Sequence, residues 1–139
     1  MQNSAILFPL VAMAFWTFAI TIYMGRARVR AVKTGQIEFA YFKTNQAERV
    51  PEPIVRIAQH YDNLFELNSL FYIVGIMLYL IQGVNLLSVS LAWAYFASRI
   101  LHSVIHLGSN NVNRRFAVFL LSMGLLGSLW IMVFIGLLH

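Results

Sequence analysis

The composition of this 139-residue chain excludes an ordinary soluble domain, because 60% of its residues are hydrophobic and only 11% are charged, whereas soluble domains carry about 25% charged residues. The length allows one compact unit, and the absence of cysteine excludes disulfides, thiolate metal sites and cysteine nucleophiles. The net charge of +5 comes from basic residues at the ends of apolar runs, which indicates membrane orientation and argues against nucleic-acid binding.

The first predicted element is a membrane span over residues 5–24, an uncharged run long enough to cross about 30 Å of hydrocarbon. No basic residue precedes this run, and Tyr-Met-Gly-Arg at its end is a poor cleavage site. We therefore expect an uncleaved first span and not a signal peptide. The polar segment 25–53 follows, and it begins with the basic residues Arg26, Arg28, Arg30 and Lys33.

Three further spans are predicted at about 54–81, 86–107 and 114–138, joined by short turns. All ten lysines and arginines lie in segment 25–53, in segment 108–113 or in the adjoining parts of the helices. By the positive-inside rule these two segments are cytoplasmic and both termini are non-cytoplasmic. The sequence thus predicts an all-α membrane protein, a bundle of four transmembrane helices forming a single domain over residues 1–139.

Polar residues enter the second and third predicted spans from the same side of the membrane. Arg99 lies roughly 12 Å inside the third span, where a charge costs a few kcal/mol unless it is paired. We expect Glu66 to pair with Arg99, while Asn63 and His102 complete the hydrogen bonds and Tyr95 lies one turn away on the same helical face. Such a cluster either holds two helices together or binds a polar ligand at the cytoplasmic side.

Two histidines of the third span suggest a second chemistry. His102 and His106 lie four positions apart (i and i+4), a spacing that can present two imidazoles to one metal ion. With His60 and Glu66 they would form a metal site, and a metal-dependent membrane enzyme is therefore one alternative. Histidines on one face of a polar-lined helix more often make hydrogen bonds, so we predict that no metal is bound.

Several motifs resemble those of the MAPEG superfamily, the membrane-associated proteins in eicosanoid and glutathione metabolism. Asn-Leu-Phe-Glu at residues 63–66, followed by Leu-Phe-Tyr at residues 70–72, resembles the family's second-helix motif. The pattern of Arg99, His102 and Arg115, and the basic stretch at residues 25–28, are also similar. The resemblance covers essentially the whole chain and is nearer to the bacterial branch of the family than to its animal enzymes.

This resemblance implies a homotrimer of four-helix bundles that holds glutathione, as a cosubstrate, between subunits near the cytoplasmic face. Arg115 takes the position near the reacting sulfur, where a cation stabilises a thiolate that attacks a lipophilic small molecule arriving from the lipid bilayer. The other positions of the implied glutathione site are Arg28, Asn63, Glu66, Arg99, His102 and His106.

The chain also departs from the family's glutathione enzymes at four positions. Gln59 stands in place of an arginine, Asp62 in place of a frequent basic residue, and His106 and Phe119 in place of tyrosines. Two functions stay open as a result. One is a glutathione-dependent transferase or peroxidase acting on lipophilic electrophiles. The alternative is a non-catalytic membrane scaffold, complex subunit or lipid-binding protein, which Gln59 and Asp62 favour.

Overall fold

The computed structural model describes residues 3–38 and 50–138, and these residues form an all-helical structure with no strand. A 3-10 turn at Asn3–Ile6 leads into four α-helices. The middle of the predicted cytoplasmic segment, residues 39–49, lies outside the described residues. The helices are α1 (Leu7–Lys33), α2 (Glu52–Leu80), α3 (Leu86–Leu107) and α4 (Val112–Gly136).

Helix α1 is longer than the span predicted from hydropathy, because it continues through the basic residues to Lys33. Alanine, arginine and lysine favour helix, so the loss of apolar residues after Met24 ends the membrane-embedded run and not the helix. The helix stops where Gly35 takes the left-handed conformation, with φ of +69°, a conformation that glycine adopts at little cost. Pro51 precedes α2, and a further proline lies in its first turn, where its missing N–H is not needed.

Short connections make α2, α3 and α4 successively antiparallel, and the last residues of α1 line a cavity together with the first residues of α2. At the start of α3 the Ser88 backbone N–H donates to Oδ1 of Asn85 at 2.9 Å, and the Asn85 backbone N–H donates to the Ser88 hydroxyl at 2.9 Å. This capping box satisfies two otherwise unpaired donors. The last residues of α1 and α3 and the first residues of α2 and α4 therefore lie together, at what we call the basic end of the bundle.

The bundle has an apolar interior and an apolar exterior. Its core combines residues of all four helices, and large apolar side chains also cover its outside, as on α1 at Phe8, Phe15 and Phe18. In the described part of the chain, three helical segments are long and apolar enough to cross a bilayer: Asn3–Lys33, Glu52–Leu80 and Val112–Gly136. The sequence predicts four such spans. The crossing of α3, which carries several polar residues, stays a prediction.

Polar side chains inside the bundle pair with one another between helices. Tyr95 of α3 donates to Oδ1 of Asn68 at 3.2 Å, and Nδ2 of Asn68 donates to the Thr17 hydroxyl of α1 at 3.4 Å. The hydroxyls of Ser98 and Ser122 lie 2.9 Å apart and connect α3 to α4. Such contacts hold helices together where lipid offers no hydrophobic drive for packing.

We expect Gly108→Ala to lower the free energy of unfolding by about 1–3 kcal/mol, because it strains the backbone between α3 and α4. A Cβ at Gly108 would lie 2.7 Å from the carbonyl oxygen of Val104, whereas a Cβ at Gly25 would meet nothing within 4 Å. Denaturant titration of the purified protein in mixed micelles measures the change. Gly25→Ala is the matched control. Equal stability of the two variants would contradict the expectation that a Cβ at position 108 strains the backbone.

Candidate functional site

The guanidinium of Arg99 is buried between α2 and α3 at the basic end. Its residue is 0% exposed, and its Nη2 donates to the backbone carbonyl of Asn63 at 3.0 Å and to Oδ1 of Asn63 at 2.9 Å. A guanidinium has only donors, so a residue that offers two acceptors at one place is well suited to hold it. The Nε and Nη1 atoms have no partner among the described residues.

The predicted ion pair between Glu66 and Arg99 is wrong for a single subunit. Glu66 is exposed on the surface of α2 and makes no salt bridge to Arg99. The expected hydrogen bond between Asn63 and Arg99 is confirmed, and the two oxygens of Asn63 accept the bonds that the sequence assigns to the Glu66 carboxylate. Neutral acceptors solvate the guanidinium without a second ion having to leave water, which is the costly part of a buried salt bridge.

Three buried imidazoles lie beside this cation. His102 and His106 share one face of α3, as the spacing predicts, and they are 2% and 4% exposed. The ring of His60 on α2 lies 5.9 Å from that of His102 and 5.1 Å from that of His106, centre to centre. No group of three histidines or carboxylates in the described residues is arranged to hold a metal ion. The nearby guanidinium groups of Arg99 and Arg115 would also repel one.

Arg115 is fixed in place by two acceptors from the preceding helix and turn. Its Nη1 donates to Oδ1 of Asn110 at 3.0 Å and lies 3.3 Å from Nε2 of His106. Since arginine can only donate, Nε2 of His106 accepts, and the proton of a neutral His106 is on Nδ1. Asn110 sits in the left-handed region with φ of +49°, which asparagine tolerates better than most residues.

A cavity of about 540 Å³ adjoins these groups, and its size is within the range of small-molecule sites. We call it the Arg115 cavity. Four of the predicted site residues line it: Asn63, His102, His106 and Arg115. Arg99 does not line the cavity, but it donates a hydrogen bond to Asn63, which does. Its other lining residues are Gln59, Val112, Asn113, Phe116 and Phe119.

Two predicted site residues do not reach this cavity within one subunit. Arg28 is half-buried on α1, and Glu66 is exposed on α2. Tyr95 serves the core, because its ring stacks on Phe71 with centres 4.4 Å apart. Asn110 was missed from the sequence, although an asparagine in a Gly-Ser-Asn-Asn turn is a signal for the left-handed conformation.

An all-helical bundle with apolar outer faces and a polar cavity at one end is the architecture of an integral membrane protein. Comparison with protein families agrees, because the model of the MAPEG family matches residues 6–135. The chain belongs to the MAPEG family, whose membrane proteins are associated with glutathione chemistry. Searches of curated proteins and of solved structures each returned no match.

We expect Asn63→Ala to cost about 1.5–3 kcal/mol of unfolding free energy, because it removes a hydrogen bond to a charged group. In an Arg99→Met background the same substitution should cost much less. Gln59→Ala, one turn earlier on α2, is the control and should cost the same in both backgrounds. An equal cost of Asn63→Ala with and without Arg99 would show that the two residues are not coupled.

Proposed function

We propose that the protein is a glutathione-dependent membrane transferase that binds glutathione in the Arg115 cavity and conjugates it to lipophilic electrophiles. The observation that carries the proposal is the fixed guanidinium of Arg115 at the wall of a polar cavity, together with Asn63, His102 and His106. Membership of a family associated with glutathione supports the choice of thiol.

The chemistry assigned to Arg115 is stabilisation of the glutathione thiolate. A nearby cation favours the ionised form of a thiol, and the thiol proton leaves to solvent through the open cavity. The sulfur then forms a bond to an electrophilic carbon, and the leaving group departs with its electron pair, as chloride does from a chloronitroaromatic. Phe116 and Phe119 line the same cavity and offer an apolar surface to the second substrate.

A complete glutathione site requires more than one subunit in this proposal. Glutathione has two carboxylates, yet Arg115 is the single cation among the described residues that line the cavity. Glu66 stands exposed on α2, where contact with lipid would be costly. Gly124 and Gly127 on α4 have open space beyond them, and small residues of this kind permit close helix association. These faces support a homotrimer.

We also propose that α3 crosses the membrane and that the basic end lies on the cytoplasmic side. The polar residues of α3 face the interior, including Arg99 and His102, while Leu101 and Val104 are 48% and 60% exposed. A helix of this kind hides its polar groups from lipid. The concentration of arginine and lysine at the basic end favours the cytoplasmic side for it, with both termini on the other side.

The alternative is a non-catalytic membrane scaffold, complex subunit or lipid-binding protein. One observation favours it: Gln59 lines the cavity as a neutral residue where the family's glutathione enzymes have an arginine. Asp62, exposed nearby on α2, adds an anion that repels a tripeptide with two carboxylates. Both functions use the same fold, so glutathione binding discriminates between them.

We expect Arg115→Gln to lower the rate of conjugation with a chloronitroaromatic by about one to two orders of magnitude, because it removes the cation beside the thiolate. Arg114→Gln is the matched control, since Arg114 is exposed and does not line the cavity. Calorimetric titration of the wild-type protein with glutathione accompanies the assay. No binding at millimolar thiol would reject the transferase and favour the scaffold.

We expect Gln59→Arg to tighten glutathione binding about tenfold or more, because a charge-assisted hydrogen bond contributes roughly 1.5–3 kcal/mol. Gln36→Arg adds the same charge at the same end of the bundle but outside the cavity, and it should change the Kd much less. Calorimetric Kd values for both variants provide the comparison. Equal tightening would mean that general surface charge acts on the ligand and that Gln59 does not contact it.

A further inference from the structure

The last turns of α1 carry three cations on one side of the helix. Arg26, Arg30 and Lys33 follow one another at intervals of four and three residues, which places them within an arc of about 60°. Arg28 lies on roughly the opposite side of the same helix. The basic sequence after the first span is therefore two separate features, and only Arg28 belongs to the positions implied for glutathione.

The three cations line a cavity of about 860 Å³ between α1 and the start of α2, which we call the α1 groove. It shares no residue with the Arg115 cavity. No acidic residue lines it in the described part of the chain. The side chains of Arg26, Arg30 and Lys33 have no hydrogen-bond or salt-bridge partner among the described residues, so within that part of the chain their positive charge is not paired.

The groove changes from apolar to basic along the helix axis. Ile22 and Tyr23, at its membrane side, are 56% and 50% exposed, and the buried residues Ile54 and Ile57 of α2 also line it. The predicted first span ends at Met24. Each residue of a helix advances about 1.5 Å, so Arg26, Arg30 and Lys33 lie roughly 3, 9 and 14 Å beyond that point, and the long side chains of Arg30 and Lys33 tilt back toward the membrane. The charged ends of these side chains can therefore reach the headgroup layer of a bilayer, which is about 5–7 Å thick on each side.

We propose that the α1 groove binds an anionic phospholipid. Its phosphate contacts Arg26, Arg30 and Lys33, and its acyl chain follows the apolar surface at Ile22 and Tyr23. Basic pockets at the membrane boundary attract anionic headgroups, and long cationic side chains reach such groups while their stems remain on apolar surface. The exposed side chains of Ile22 and Tyr23 below the cations favour a lipid over a soluble phosphate. The site is independent of glutathione chemistry.

Native mass spectrometry of the full-length protein, released from detergent micelles with added lipid, tests this proposal. The wild-type protein should retain phosphatidylglycerol in preference to phosphatidylcholine of the same acyl composition. Arg30→Gln should weaken retention of phosphatidylglycerol about fivefold, the effect expected for one cation at a membrane surface, and Arg30→Lys should preserve it. Arg114→Gln is the control, since it removes one exposed charge at the same end outside the groove.

Three outcomes would overturn the proposal. One is equal retention of the two lipids by the wild-type protein. Another is an equal loss from Arg30→Gln and Arg114→Gln, which would mean that diffuse surface charge attracts the lipid. The third is displacement of phosphatidylglycerol by an equimolar amount of glycerol phosphate, which would make the groove a site for a soluble anion. Unchanged thermal denaturation of each variant establishes that its fold is intact.

Discussion

The buried guanidinium of Arg99 is the constraint on which the basic end of the bundle depends. A cation in the interior of a membrane protein must be solvated by protein groups, and Asn63 supplies a backbone and a side-chain oxygen to a single nitrogen. These two bonds, together with the packing of the neighbouring helices, set the rotation of α2 relative to α3. With that rotation fixed, His60 of α2 faces His106 of α3, and Gln59 joins Asn63 at the edge of the Arg115 cavity.

The same arrangement explains why the candidate site forms where α4 begins. The turn after α3 brings Asn110 and Arg115 beside His106. The guanidinium of Arg115, which would contact a ligand, is therefore held by α3, the helix that also carries the buried Arg99. The site thus contains two cations with different surroundings. Arg99 is enclosed and supports Asn63, while Arg115 borders a cavity that a ligand can enter. The first organises the fold, and the second is available for chemistry.

Much of the fold could be predicted from local patterns, but the contacts between helices could not. Hydropathy and turn residues predict four helices, and the spacing of Arg99, His102 and His106 correctly places them on one face. The sequence predicts the pairing of Glu66 with Arg99 because these opposite charges enter neighbouring helices from the same side of the membrane. That prediction is wrong because the rotation of a helix depends on how all its neighbours pack, which the sequence does not show. In addition, a neutral acceptor such as Asn63 can take the place of a carboxylate beside a buried cation.

In the proposed function, the cavity beside Arg115 holds glutathione with its sulfur near that guanidinium. Cryo-electron microscopy of the protein in lipid nanodiscs with glutathione sulfonate, which carries a sulfonate in place of the thiol, tests it most directly. The sulfonate should lie within hydrogen-bonding distance of the Arg115 guanidinium, between Asn63 and Phe119. A sulfonate bound elsewhere on the protein, or a cavity closed to the ligand in every subunit, would contradict the claim.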